Sequence, residues 1–291
     1  RMAGLGLWIA EPDGAGGRVV GVVGRRSTLR GTITPSQWKA IFAVRGFSEL
    51  PVILRRTPDG SLEIIFNLSD PFRRYHSDGS RETQPLAIVA GQMRTSALIE
   101  PLGNVRLFGL RFHHAGAYPF LRFPVNELTG NIVALEHIWS DKAREVEERI
   151  NEAPGVRERV AIIEAALLAA LAQTSNLDGV VAAACRLVAF HRGCLPVERL
   201  ADVLGQSPRR LERRFQQRVG VSPKFFSRIL RFQNLLNSVR NSGSAELLGS
   251  TLDAGYYDQA HLIHEFKEFS GLTPVDFFTR ERQLSDVFIA A

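Results

Sequence analysis

The chain has 291 residues, 45% of them hydrophobic and 23% charged, which is the composition of a globular protein with room for about two domains. No apolar run approaches 18 residues and the start lacks a signal-peptide core. The sequence therefore predicts a cytoplasmic protein without a membrane span. The net charge of +6 is modest and by itself identifies no partner.

The number of cysteines and the absence of catalytic motifs argue against several classes of protein. Cys185 and Cys194 lack the ligand set of a structural zinc site, so we expect two free thiols, no metal and no cofactor. The chain also lacks G-x-S-x-G, H-E-x-x-H and P-loop motifs, and it has no paired carboxylates at a helical spacing that suggests a site. These absences argue against an enzyme.

Arginines cluster near the start of the chain, in Arg25-Arg26-Ser27-Thr28-Leu29-Arg30. Guanidinium groups bind phosphate through paired hydrogen bonds and stack on guanine. The R-R-x-x-x-R spacing resembles the arginine motif with which PilZ domains bind cyclic di-GMP. Asn67-Leu68-Ser69 resembles the first half of the second PilZ motif, [DN]-x-S-x-x-G, although Phe72 replaces its glycine. The resemblance implies an effector site at Arg25, Arg26, Arg30, Asn67 and Ser69. The alternatives are a surface cluster of arginines and a different effector, an aromatic acid or a sugar.

Residues 37–140 alternate apolar and polar positions over short stretches that are separated by turn residues. Leu62–Phe66 follows the turn Pro58-Asp59-Gly60, and similar stretches cover Leu86–Val89 and Val105–Phe112. This pattern predicts a β-barrel or sandwich. On residues 58–68, 91–95 and 110–112 the region resembles a cupin-like sensor domain. Cupin-like barrels often hold a metal, but adjacent His113 and His114 point to opposite faces of a strand, so no metal site is expected.

Two helices are predicted after the strands, over Asp141–Ile150 and Val156–Leu171, with Pro154-Gly155 between them. The second helix has apolar residues at helical spacing, namely Val156, Val160, Ile163, Leu167 and Leu171. Such a stripe either packs against the barrel or forms the seam of a homodimer. The sequence leaves both interpretations open.

The C-terminal third contains an internal repeat at a shift of 51 residues, L-x3-F-x4-G-[VL]-[ST]-P-x2-F. The matched pairs are Leu211 and Leu262, Phe215 and Phe266, Gly220 and Gly271, Val221 and Leu272, Ser222 and Thr273, Pro223 and Pro274, and Phe226 and Phe277. Seven matches that include a glycine and a proline indicate two copies of one supersecondary unit.

Each copy predicts a helix with a defined start and stop. Ser207 and Asp258 occupy the N-cap positions, and Gly220 and Gly271 end the helices. In the first copy this helix is preceded by a helix over 197–204 and a glycine turn, and together they form a helix-turn-helix unit. A helix from Pro223 to about Asn241 joins the copies. Its length of about 28 Å is close to the roughly 34 Å between successive major grooves on one face of DNA.

Burial of the leucine and phenylalanine in each copy leaves the opposite helix face for DNA. The predicted contacts are Ser207, Arg209, Arg210, Glu212, Arg213, Arg214 and Gln217 in the first copy and Gln259, Ala260, Ile263, His264 and Lys267 in the second. Residues 199–240 hold ten basic and two acidic residues, a net +8, whereas residues 246–291 hold three basic and eight acidic, a net −5. The basic cluster is typical of phosphate contact.

Residues 200–215 and 255–274 closely resemble the two helix-turn-helix units of AraC/XylS family regulators, and the similarity covers roughly 176–282. A subset of that family carries a cupin-like sensor domain. The resemblance implies an activator that binds double-stranded DNA as a homodimer, contacts RNA polymerase and responds to a small molecule. Ser250 and Thr251 replace the family's apolar residue followed by Ala. With the −5 charge, this departure predicts that the second unit docks more weakly.

The predicted fold class is therefore α+β, with four segments. An N-terminal extension covers 1–36, a cupin-like β-barrel sensor domain 37–140, a helical linker 141–175, and an all-α DNA-binding domain 176–291. In the last segment a long helix joins the two helix-turn-helix units.

Overall fold

The computed structural model describes residues 19–23, 38–45, 54–121, 123–172, 178–242 and 255–279. The described chain is α+β, as predicted: strands dominate its first half and helices fill most of it from residue 136 onward. Within these residues no helix has the length and apolar character to cross a membrane.

The strands pair in antiparallel fashion throughout. They are β1 (Val19–Val23), β2 (Trp38–Arg45), β3 (Leu54–Arg56), β4 (Glu63–Asn67), β5 (Phe72–Tyr75), β6 (Arg81–Thr83), β7 (Ala87–Ala90), β8 (Ala97–Pro101), β9 (Arg106–Phe112) and β10 (Ile132–Ala134). One sheet has the order β1-β2-β9-β4-β7-β10 and the other the order β3-β8-β5-β6. The predicted barrel is thus two sheets rather than one closed ring, because β3, β5, β6 and β8 pair among themselves.

Strand β4 is the centre of the larger sheet. Ile64 lies opposite Leu110 of β9 and Val89 of β7, and all three are buried. Consecutive residues of β4 are buried, which explains why Ile64, Ile65 and Phe66 depart from the alternation predicted for residues 37–140. The predicted extension also contributes to the sheet, because β1 pairs with β2 at its edge.

The helices are α1 (Tyr118–Leu121), α2 (Glu136–Trp139), α3 (Asp141–Glu152), α4 (Val156–Leu171), α5 (Gly179–Phe190), α6 (Val197–Val203), α7 (Pro208–Val219), α8 (Pro223–Ser242) and α9 (Gln259–Ser270), and residues 274–279 are also helical. A 3-10 helix covers Val125–Leu128. The linker helices and the connecting helix lie where the sequence predicts them. We call the strands with α1–α4 the N-terminal domain and the residues from α5 onward the C-terminal domain.

Helix α4 packs on the N-terminal domain. Ile163 and Leu167 are buried in its core, and Val156, Val160 and Leu171 are half-buried against the same core. The buried Arg159 side chain donates hydrogen bonds to the carbonyls of Ile150 and Ala153 at the end of α3, over 3.0 and 2.7 Å. The packing interpretation of the apolar stripe is confirmed, and the homodimer seam stays a prediction.

Helix α8 belongs to both hydrophobic cores of the C-terminal domain. Phe226 packs on Phe215 of α7, with ring centroids 5.4 Å apart. Two turns later, Phe232 packs on Phe266 and Phe269 of α9, at 5.1 and 5.2 Å. The two helix-turn-helix units therefore share one helix as a common support.

Candidate nucleic-acid interface

Helix α7 begins and ends at the residues that the repeat predicts. The Ser207 hydroxyl accepts a hydrogen bond from the Arg210 N–H at 3.3 Å, and Pro208 stands at the first helical position, where a missing N–H is harmless. The helix ends at Gly220, whose φ of 97° lies in the left-handed region that favours glycine. These local signals fix which residues lie in the first turn.

The outward face of α7 carries most of the predicted DNA contacts. Burial of Leu211 and Phe215 fixes the rotation of the helix about its axis. The exposed residues are Ser207, Arg209, Arg210, Glu212, Arg213, Gln216 and Gln217. In helix-turn-helix proteins the N-terminal residues of the second helix contact base edges, and arginine pairs with the O6 and N7 of guanine. The face thus presents three guanidinium groups where such pairing occurs.

Arg214 differs from the other predicted contacts, because its guanidinium is turned inward. It binds the Asp178 carboxylate through two hydrogen bonds, of 2.9 and 2.7 Å, and donates a third to Gln206 Oε1 at 3.2 Å. Asp178 is also the N-cap of α5, where it accepts from the Val181 N–H at 3.0 Å. Burial by itself would raise the pKa of Asp178, but the hydrogen bonds from Arg214 and Val181 outweigh it and lower the pKa. The pair ties α7 to α5.

Helix α9 repeats the design of α7. The Asp258 carboxylate accepts a hydrogen bond from the His261 N–H at 2.7 Å, and the helix ends at Gly271 with a φ of 73°. Leu262 and Phe266 are buried. The predicted contacts Gln259, Ala260, Ile263, His264 and Lys267 are all exposed. The outward face of this helix carries one full positive charge, at Lys267, and the positions equivalent to Arg209 and Arg213 of α7 are Ala260 and His264.

A buried glutamate joins α9 to α8. Glu265, which is 1% exposed, accepts a hydrogen bond from Arg228 at 2.7 Å and lies 3.4 Å from the Arg231 guanidinium. Arg228 also pairs with Glu268 at 2.5 Å. Burial raises the pKa of the neighbouring Tyr256 hydroxyl, and the Glu265 charge adds to the effect. Two of the acids that make this segment negative are therefore neutralised within the domain.

These pairings reduce the basic surface that the sequence alone suggests. Of the ten basic residues between 199 and 240, Arg214, Arg218, Arg228 and Arg231 contact acidic groups inside the fold. Among the side chains that the structure describes, the exposed ones are Arg199, Arg209, Arg210, Arg213 and Lys224. The outward charge is concentrated on the first unit. Ser250 and Thr251 lie outside the described residues.

The predicted effector residues fall into two groups. Arg25, Arg26 and Arg30 lie outside the described residues. Asn67 ends β4 with its side chain 6% exposed, and its Oδ1 has no hydrogen-bond partner in the described part of the chain. Ser69, two residues later, is half-buried.

The adjacent histidines do not form a metal site with other described residues, among which no group of three or more His, Cys, Asp or Glu side chains could hold a metal ion. His114 Nδ1 instead lies 2.6 Å from the Gly60 carbonyl oxygen. Both cysteines are free, Cys185 buried and Cys194 exposed. Burial raises the pKa of the Cys185 thiol.

Comparison with known proteins matches two parts of the chain to known families. Residues 200–280 match a family described as a helix-turn-helix domain. Residues 39–134 match a family described as a domain of unknown function, DUF6597. No curated protein matches the chain significantly.

Several solved structures match the chain at low sequence identity. Apo ToxT from Vibrio cholerae strain SCE256 is 10% identical, with 85% of this chain and 98% of that chain covered and a TM-score of 0.43. ToxT from the same strain with a bound unsaturated fatty acid is 9% identical, with 81% and 93% covered and a TM-score of 0.43. The AraC-like transcriptional activator CuxR is 14% identical, with 74% and 81% covered and a TM-score of 0.30.

The family match and the geometry agree on the C-terminal domain. Residues 200–280 hold two recognition helices of 12 residues, each capped by an oxygen-bearing side chain and ended by a left-handed glycine, with α8 between them. This is the repeat that resembles the AraC/XylS units. The C-terminal domain is therefore an AraC-type helix-turn-helix domain, and a separate N-terminal domain precedes it.

Proposed function

We propose that this protein binds a specific DNA sequence through both helix-turn-helix units and alters transcription when a small molecule binds its N-terminal domain. The observation that carries the proposal is the outward face of α7. Arg209 and Arg213 are exposed there while Leu211 and Phe215 are buried, so the two guanidinium groups project from the helix half that enters a major groove.

The length of α8 supports simultaneous contact by both units. Its 20 residues span about 30 Å, and α7 and α9 pack on successive parts of it. Two major grooves on one face of B-DNA are about 34 Å apart. We expect a shared helix of this length to suit a pair of half-sites one helical turn apart.

The test is selection of a binding site from random DNA, followed by titration with the wild type, Arg209→Ala and Arg213→Ala at one fixed salt concentration. Each variant should lose roughly 1–3 kcal/mol of binding free energy and accept other bases at one position of the site. Arg144→Ala is the matched control, because Arg144 is an exposed arginine of α3. Equal curves for all four proteins would exclude the α7 face as the reader.

For the effector we propose cyclic di-GMP, bound by Arg25, Arg26 and Arg30 together with Asn67 and Ser69. The arginine spacing supports this, and the unpartnered Asn67 oxygen leaves one acceptor for a polar ligand. Calorimetric titration should give saturable binding that Arg26→Ala and Arg30→Ala abolish. Binding retained by both variants would contradict the arginine site. No heat with the wild type would favour the alternative, an aromatic acid or a sugar bound by the strands.

We further propose that the protein activates transcription as a homodimer that contacts RNA polymerase. Ala161 and Ala165 are exposed on α4, next to half-buried Val160 and Leu168, and supply a seam for a second copy. Sedimentation should show a dimer for the wild type and a monomer for Ala161→Arg. A wild-type monomer at all concentrations would contradict the seam.

A further inference from the structure

The N-terminal domain contacts the C-terminal end of each recognition helix. The Thr129 hydroxyl donates to the Gly220 carbonyl at 2.5 Å, and the Ser96 hydroxyl donates to the Phe269 carbonyl at 2.8 Å. The last carbonyls of a helix have no partner within the helix, so an external donor satisfies them. The same kind of contact is thus made at nearly the same place in both units.

Ring contacts accompany each of these hydrogen bonds. The Arg218 guanidinium, near the end of α7, lies 3.5 Å from the centre of the Tyr118 ring. Arg94 lies 5.1 Å from the centre of the Phe225 ring, which itself packs on Phe269. A cation over an aromatic face is attracted by the ring's charge distribution. Both recognition helices are therefore held by more than one group.

The shared helix α8 is held between these two points by the loop 57–62, which joins β3 to β4. Gln233 donates to the Pro58 carbonyl at 2.6 Å. Gly60 lies so close that a Cβ on it would be 2.9 Å from Phe226, and the His114 ring meets Phe226 edge-on at 4.8 Å. The loop thus contacts α8 on its first half and again at Gln233.

Buried charges fix this loop from its inner side. Arg111 is 1% exposed, lies 3.0 Å from the Asp59 carboxylate and pairs with Glu63, which also binds Arg56. Gln92 donates to the Gly60 carbonyl at 2.6 Å. Because β4 and β9 carry Glu63 and Arg111, the loop is tied to the centre of the larger sheet.

The contacts leave the predicted DNA-reading residues free. From Gly220 back to Arg209 is 11 residues, or about 16 Å along the helix. The hydrogen bonds lie at the C-terminal ends of α7 and α9, whereas most of the predicted DNA contacts, all but Arg214, Gln217 and Lys267, lie in the N-terminal halves of the two helices.

We propose that the N-terminal domain sets the distance and angle between the two recognition helices, through Thr129, Ser96 and the loop 57–62, and leaves the DNA-reading faces open. The proposal rests on the proposed function for its biological meaning. A ligand that moves the loop would change the fit of the two units to a pair of half-sites. The rival account is that α8 alone fixes the spacing, since both units pack on it.

A distance measurement on the full chain without DNA separates these accounts. Spin labels are placed at Gln216→Cys and Lys267→Cys, which are exposed and equivalent positions of α7 and α9, in a Cys194→Ser background. Double electron–electron resonance should give one narrow distance distribution. The triple variant Ser96→Ala, Thr129→Val, Gln233→Leu should make the distribution about twice as wide, because α7, α8 and α9 lose hydrogen bonds that fix them to a common domain. Thr83→Val, an exposed threonine of β6, is the control.

An equally narrow distribution in the triple variant would overturn the proposal in favour of α8, and so would a broad one in the wild type. The single changes Thr129→Val and Ser96→Ala, with the far-ultraviolet spectrum as a folding check, keep the result interpretable if the triple variant is unstable. The measurement involves no DNA. Loss of DNA binding would defeat the proposed function and leave this result standing.

Discussion

The two helix-turn-helix units share one backbone design but distribute their charges differently. In the first unit, Arg209, Arg210 and Arg213 face outward, whereas Arg214 and Arg218 pair with Asp178 at the start of α5. In the second unit Glu265 turns inward and meets the arginines of α8, and the outward face carries Lys267. A repeated fold therefore does not imply a repeated role: we expect the first unit to supply most of the DNA affinity and the second to supply alignment.

The largest expected effect comes from breaking the inward pairing of the second unit. Arg228→Ala leaves the carboxylate of Glu265 buried with its closest partner removed, which costs roughly 3 kcal/mol for a buried ion pair. Amide hydrogen exchange in α9 should rise accordingly. Arg199→Ala, an exposed arginine of α6, should leave that exchange unchanged. Unaltered protection of α9 in Arg228→Ala would mean that aromatic packing alone holds the second unit.

The next largest effect is expected on DNA binding, from substitutions on the outward faces of α7 and α9. Arg213→Ala should cost about 1–3 kcal/mol of DNA-binding free energy, because it removes a charged contact to a base or phosphate. Lys267→Ala, on the outward face of α9, should cost less than half as much and lower the salt dependence by about one ion. Titrations over a range of salt concentrations measure both quantities. A larger loss for Lys267→Ala would reverse the assignment of the units.

A smaller effect should appear in acid, at the pair that orients α7. The pKa of Asp178 is lowered in the folded protein, so its stabilising contribution is complete above the ordinary aspartate pKa of about 3.9 and is lost as the pH falls through the lowered value. Asp178→Asn removes this contribution. The difference in unfolding free energy between wild type and variant should be constant above pH 5 or so and shrink below about pH 4.

Arg214→Lys is the companion to that experiment, because lysine keeps the charge but not the paired hydrogen bonds. It should weaken DNA binding less than Arg213→Ala does. A loss as large as that of Arg213→Ala would show that Arg214 itself contacts DNA.

The smallest effect tests the feature that the units have in common. Ser207→Ala and Asp258→Ala each remove one N-cap acceptor and should cost about 1 kcal/mol of helix stability. Because the two caps have the same geometry, the costs should be alike, as read from hydrogen exchange in the first turn of each helix. Unequal costs would show that the two units differ in helix capping as well as in charge.

Sequence reasoning succeeded where the determinants are local. The caps Ser207 and Asp258 lie within three residues of the N–H groups they bind, so the starts of α7 and α9 were predictable. The partner of Arg214 is 36 residues away and that of Ser96 is 173 residues away, and no spacing rule connects them. For the same reason the three stretches predicted as strands, 62–66, 86–89 and 105–112, lie within a residue of β4, β7 and β9, whereas the choice between a barrel and a sandwich depended on long-range pairing.

The acceptors at the ends of α7 and α9 are main-chain carbonyls, and every amino acid has one. The residues that read DNA can therefore change while these two attachment points stay the same. A change of operator sequence therefore requires no change in the side chains with which the N-terminal domain contacts these two carbonyls. Such a chain can acquire new target genes by substitution on its recognition helices without losing the response it already has.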